Sequence, residues 1–142
     1  MKVLLAVDGS KSSLKAVDWV IEHFGETRSK PSIELVTVHL PIPKVPNLGK
    51  VVGKGQIERF YREECEEAIA PAQRKLERAG IPCQVRLLVG QVAETLVKQA
   101  KSSGSDLIVA GTRGMSGLGN FILGSTATKL LHLADRPVLI VK

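Results

Sequence analysis

Five short apolar runs alternate with four amphipathic stretches along this chain of 142 residues, and few folds can satisfy that alternation. Residues 2–7 form a continuous apolar strand. Ser10 is a good N-cap for the stretch after it, where Leu14, Val17, Ile21 and Phe24 share one helical face and Gly25 closes the helix. Residues 33–40 form a second strand. Residues 41–55 hold three prolines and three glycines and read as a long loop. A helix over 56–79 turns Ile57, Phe60, Ala68, Ala72 and Leu76 inward, with Pro71 expected to kink it and Gly80 after its end. The acidic group Glu63, Glu64, Glu66 and Glu67 on this helix reads as a solvated face. A third strand covers 83–89, a helix with Leu96, Val97 and Ala100 inward covers 92–102, and a fourth strand covers 106–110. A last helix over 126–134 and a last strand over 137–142 complete the pattern.

Alternating strands and helices predict an α/β fold, a doubly wound parallel sheet of five strands, in a single domain over residues 1–142. Strands one and four are apolar throughout, as central strands are. Strand three alternates Cys83, Val85 and Leu87 with Gln84, Arg86 and Leu88, as an edge strand does. The order 3-2-1-4-5 fits, and its switch point falls between strands one and four. Ligands bind at the carboxyl ends of strands at such a point. There stand Asp8-Gly9 and Gly111-Thr112, two features far apart in sequence.

The second of these opens a glycine-rich stretch, GTRGMSGLGNFILGS, over 111–125. It lies between a strand and a helix N-terminus, where backbone N–H groups can face a phosphate and glycine permits close approach. The stretch is neither GxxxxGK[ST] nor GxGxxG. The nearest approach to the former, over 49–55, has the wrong gap and no hydroxyl after its lysine.

Composition narrows the ligand class. The net charge of +6 admits anionic partners, but there is no run of three cations and aromatics are only 4%, so a generally basic surface is favoured over a nucleic-acid site. No apolar run reaches the length of a membrane span, and Asp8 ends the first run too early for a signal peptide, so a cytoplasmic protein is expected. Cys65 and Cys83 have no metal or redox spacing and read as buried reduced thiols. His39 and His132 have no nucleophile or carboxylate partner in sequence and read as structural or surface residues. Ser10, Ser12 and Ser13 suit helix capping, since the glycines of a pyrophosphatase-type loop are missing. Strand five, Val138 to Val141, is apolar on both faces, and an edge of that kind calls for cover; a homodimer through 137–142 supplies it.

Taken together, the opening VLLAVDGS, the segment GQVAETLVKQAKSSGSDLIVAGTRG and the ending GSTATKLLHLADRPVLIVK resemble a single-domain universal stress protein over essentially the whole chain. The glycine spacing G-2x-G-9x-G-[S/T] resembles that of the family's ATP-binding branch. The resemblance implies a Rossmann-like fold of the adenine nucleotide alpha hydrolase kind and a nucleotide-dependent stress-response module. It also implies roles. Ala6 and Val7 border the base and Val38 packs on it. Asp8 hydrogen-bonds the adenosine. Ala110 belongs to the nucleotide-binding set, and Gly111, Arg113 and Gly114 run along ribose and phosphates. Gly124, Ser125 and Thr126 hold phosphate. Mg²⁺ comes only with the nucleotide. One departure is Ala127, where some ATP-binding members carry a hydroxyl residue; Thr128 is one position out of phase, so ADP and AMP stay alongside ATP as candidates. The competing readings are a slow ATPase or phosphoryl-transfer enzyme, for which the chain offers no clear general base, Walker lysine or acidic metal pair, and a basic scaffold with a vestigial loop. Loops 41–55 and 115–123 are candidate responsive elements through which an unidentified downstream protein reads the bound state.

Overall fold

A computed structural model of the chain describes residues 1–112 and 123–142. In chain order it runs β1 (Lys2–Ala6), α1 (Lys11–Phe24), β2 (Ser32–His39), α2 (Leu48–Val51), α3 (Lys54–Arg78), β3 (Cys83–Val89), α4 (Val92–Ser103), β4 (Leu107–Gly111), α5 (Ser125–Leu133) and β5 (Val138–Val141). The strands form one five-stranded sheet in the order β3-β2-β1-β4-β5, and every pairing is parallel. Both the fold class and the strand order match the expectation.

Period-two alternation along β1 feeds two cores at once. Val3 and Leu5 join Val17 and Val20 of α1 and Ile69, Ala72 and Leu76 of α3 on one face. Leu4 and Ala6 join Leu96 and Ala100 of α4, Ile108 and Ala110 of β4 and Leu130 of α5 on the other. A central strand buried on both faces must be apolar throughout, which is why β1 reads as an unbroken run. Each fully buried Leu or Val in these layers contributes about 1.5–3 kcal/mol.

Two local expectations are corrected. The loop 41–55 contains a one-turn helix, α2. Phe60 is not inward: it is 42% exposed, because α3 reaches the sheet only from Cys65 onward. As expected, Pro71 lies inside this helix, with helix on both sides of it. The edge strand β5 is half-buried and apolar on both faces as read, with Leu139 and Val141 packed on the first core and Val138 and Ile140 on the second; its outer backbone edge is the end of the sheet.

Glu34 carries no sequence signal of its own. It sits in β2 at 1% exposure, where Oε1 accepts from Arg86 Nε of β3 at 3.2 Å and from Gln99 Nε2 of α4 at 2.9 Å. Burial raises the pKa of its carboxyl, but the Ser103 hydroxyl, Arg86, Gln99 and the charge of Lys2 outweigh it and hold the group below its ordinary value.

Candidate functional site

Three chain segments meet at the carboxyl ends of β1 and β4. The first is the turn after β1. Asp8 Oδ1 accepts from the Ser10 N–H at 2.9 Å, and the Ser10 hydroxyl accepts from the Ser13 N–H at 3.1 Å. The Ser13 hydroxyl donates to the Ser10 carbonyl at 2.9 Å. These bonds cap α1 with its own side chains. Gly9 lies in the left-handed region, at φ 81°, and a Cβ there would stand 3.3 Å from the Ala68 Cα, so glycine lets α3 close against the turn.

The second segment is the end of β4. A Cβ on Gly111 would stand 2.5 Å from the Ser12 carbonyl oxygen, so only glycine lets the first turn of α1 lie over the strand end. The third is the start of α5. The Gly124 N–H donates to the Thr112 carbonyl at 2.6 Å, which ties the head of α5 to the residue after β4. Gly124 is the N-cap of α5 and has no side chain with which to cap it. The two helix starts over this crevice therefore differ. That of α1 is capped by serines, whereas the N-cap residue of α5 brings no side chain to its positive dipole end.

A cleft of about 870 Å³ opens between them. Its floor is Ala6, Val7 and Asp8 of the β1 end, Val36, Thr37 and Val38 of β2, and Ala110 and Gly111 of β4. One wall is apolar and comes from Val92 and Leu96 of α4 with Ala127 and Leu130 of α5, beside Thr126. The opposite wall is α3, presenting Glu64, Cys65, Glu67, Ala68, Pro71 and Arg74. The volume and the mix of an apolar slot with a few polar groups suit a drug-sized or nucleotide-sized ligand.

Of the residues singled out in the sequence, Ala6, Val7, Asp8, Val38, Ala110, Gly111 and Thr126 line this cleft together. Gly124 and Ser125 do not line it; they stand directly before Thr126 at the head of α5. Arg113 and Gly114, and residues 115–122 of the second candidate loop, lie outside the described residues. His39 lines the cleft mouth, its ring edge-on to Phe60 and Tyr61 at 5.7 and 5.4 Å. His132 does not line it. Thr128 turns its hydroxyl to the Gly124 carbonyl at 3.1 Å, whereas Ala127 faces the cleft.

The α3 wall is what the sequence reading lacks. Glu64 and Glu67 are exposed, as a solvated face requires, yet both also stand at the cleft mouth. Cys65 is 2% exposed, and its thiol pKa is pushed up by burial first and by the neighbouring Glu64 second. The core packing of Ile69, Ala72 and Leu76 and the contact of Ala68 with Gly9 lay this helix over the crevice, and no local pattern encodes contacts across some 59 residues of chain.

The model of the universal stress protein family matches residues 1–142. Universal stress protein YxiE of Bacillus subtilis is 30% identical over 99% of this chain and 98% of its own length. Universal stress protein MJ0531 of Methanocaldococcus jannaschii is 31% identical over 99% of this chain and 81% of its own. Among solved structures, MJ0577 of the same organism superposes with a TM-score of 0.84 over 99% of this chain and 94% of its own, at 24% identity. A universal stress protein solved in complex with cAMP superposes with a TM-score of 0.64 over 99% of this chain and 95% of its own, at 27% identity. One from Arabidopsis thaliana was solved with AMP bound and superposes with a TM-score of 0.71 over 100% of this chain and 91% of its own, at 19% identity. With the family model matched from the first residue to the last, the sheet order and the full-length relatives in agreement, this chain belongs to the universal stress protein family.

Proposed function

We propose that this chain is an adenine-nucleotide-binding stress-response module, with ATP as the first candidate ligand and ADP and AMP behind it. The observation that carries the reading is an apolar slot that meets, at Thr126, the first turn of a helix whose N-cap is a glycine. Ala6, Val38, Ala110 and Leu96 offer a flat base an apolar bed, while Thr126 and the backbone N–H groups at the head of α5 offer donors to an anion. Asp8, at the cleft floor, has one oxygen in the turn and the other available to a ribose or base donor. Gly111 is held at the strand end, and Arg113, Gly114, Gly124 and Ser125 are assigned phosphate contacts by family resemblance. Relatives solved with AMP and with cAMP support the ligand class. Mg²⁺ would enter with the nucleotide, held by phosphate and water.

Bound nucleotide would bias one conformation of the segments around the cleft, which an unidentified downstream protein reads. Further parts of the proposal are a single domain, a cytoplasmic setting and a homodimer through the outer edge of β5, residues 137–142. Among the described residues no helix is long and apolar enough to cross a membrane.

The test is the nucleotide content of freshly purified protein after denaturation, followed by calorimetric titration with ATP, ADP and AMP, with and without Mg²⁺. Released or titratable adenine nucleotide that is lost in Asp8→Ala supports the reading. A protein that arrives empty and takes up none of the three sinks it.

A further inference from the structure

We propose that the segment between β2 and the first turns of α3 is a docking surface for a partner protein, engaging a segment in which Asp or Glu residues flank apolar anchors. Among the described residues, the large apolar side chains that remain exposed concentrate here. Leu40 is 54% exposed, Val45 55%, Val51 81% and Phe60 42%. Val89, 44% exposed, adjoins them, because it pairs with His39 at the end of the sheet. Folding normally buries such side chains, and a cluster of them left in water marks an interaction surface.

The charge of the same stretch fixes the chemistry of the partner. Between residues 40 and 62, Lys44, Lys50, Lys54, Arg59 and Arg62 face a single acid, Glu58, and all six are exposed. Arg59 pairs with Glu63 at 3.4 Å, but no ion pair among the described residues uses Lys44, Lys50 or Lys54. Unpaired ammonium groups set among exposed apolar side chains are complementary to carboxylates set among apolar anchors.

The surface is also ordered in advance. The Ile42 N–H donates to the Tyr61 hydroxyl at 2.6 Å, which ties the segment back onto α3. Pro41, Pro43 and Pro46 restrict the chain between, so little entropy is left to lose on binding.

Two other occupants fit less well. A symmetric contact with a second copy would press two copies of the same net-positive patch together. A flat anionic membrane would meet Glu63 and Glu64, one turn beyond Phe60 on α3 and inside the Debye length of about 8 Å. A discrete acidic segment avoids both conflicts. The proposal stands whether or not the cleft binds nucleotide.

The test uses ¹⁵N-labelled full-length protein and three synthetic peptides. One carries Leu and Phe anchors between Glu residues, one has Lys for each Glu, and one has Ser for each anchor. The expected result is amide shifts from the first peptide confined to residues 40–62 and 89–90. Affinity should fall at least tenfold for each of the other two peptides. It should fall at least tenfold again in a V51D, K50E, K54E variant and stay unchanged in an R28E, K98E control. All these side chains are exposed, so thermal unfolding of the variants should match the parent and exclude misfolding. The proposal is overturned by absence of binding, by shifts scattered over the surface, or by equal affinity for the Ser peptide. It is also overturned if phosphatidylglycerol vesicles displace the peptide from the patch, or if the patch variant alters the sedimentation coefficient, which would make the surface a self-contact.

Discussion

Arg86→Met should damage this protein more than Glu34→Leu, although the arginine is at the surface and the glutamate is in the core. Glu34 is 1% exposed, whereas the Arg86 side chain is 53% exposed. Losing the arginine leaves a buried carboxylate with the Gln99 amide, at 2.9 Å, and the Ser103 hydroxyl as its remaining partners. Breaking a buried pair in this way costs about 3–5 kcal/mol. The retained Gln99 bond and the half-exposed position of Arg86 move the expectation below that range, to about 2–3 kcal/mol. Losing the glutamate instead leaves a cation that can turn into water and puts an apolar side chain in an apolar layer, at a cost within about 1 kcal/mol. The double variant should resemble Glu34→Leu. Urea titrations of the four proteins give the cycle, and for a chain of this size the Arg86→Met loss should lower Tm by about 6–12 °C. The pH dependence adds a sign. The pKa of Glu34 is lowered on folding from its ordinary 4.5, so its contribution is present above that value and is lost as pH falls through the lowered one. In Arg86→Met the opposition to burial weakens and the pKa of the carboxyl rises, so the deficit against the parent should shrink on acidification below about pH 4.5. Equal costs for the two single variants, or costs that simply add in the double, would refute the reasoning.

Gly9→Ala places a Cβ against the Ala68 backbone at a positive φ and should cost about 1–2 kcal/mol in urea unfolding, with weaker nucleotide binding as α3 is pushed from the cleft. Gly111→Ala, whose Cβ would meet the Ser12 carbonyl, should lose titratable nucleotide even where circular dichroism shows the protein still folded. Cys65 is buried at the cleft wall with its pKa raised, so alkylation by iodoacetamide at pH 7.5 should be slow, and saturating ATP should slow it further; unchanged labelling would place the ligand elsewhere. Leu130→Ala removes a side chain with no exposed surface from the second core and should cost about 2–5 kcal/mol by thermal or urea unfolding.

The fold was legible in sequence because its signals are local. The unbroken apolar run of β1, the Ser10 cap and the alternation along β3 each follow from a few neighbouring residues. The parallel order follows from which runs are apolar on both faces. The β1 and β4 ends were legible as a crevice for the same reason: the switch point depends only on strand order. The α3 wall was not legible, because Glu64, Glu67 and Pro71 have ordinary helical environments until a helix 59 residues from Gly9 is laid across the turn.

The α/β alternation, the order of the sheet, the family and the crevice at the ends of β1 and β4 can all be read along the chain. Local apolar period, capping and turn chemistry act between near neighbours and are written in consecutive residues. Contacts between distant segments set the serine-capped start of α1 and the glycine-capped start of α5 over the same cleft. Spatial neighbours likewise leave Phe60 and Val51 facing water and bury Glu34 between Arg86 and Gln99. Those outcomes depend on which distant segments come within contact, and hydrogen bonds and burial act over a few ångströms of space, whatever the separation along the chain.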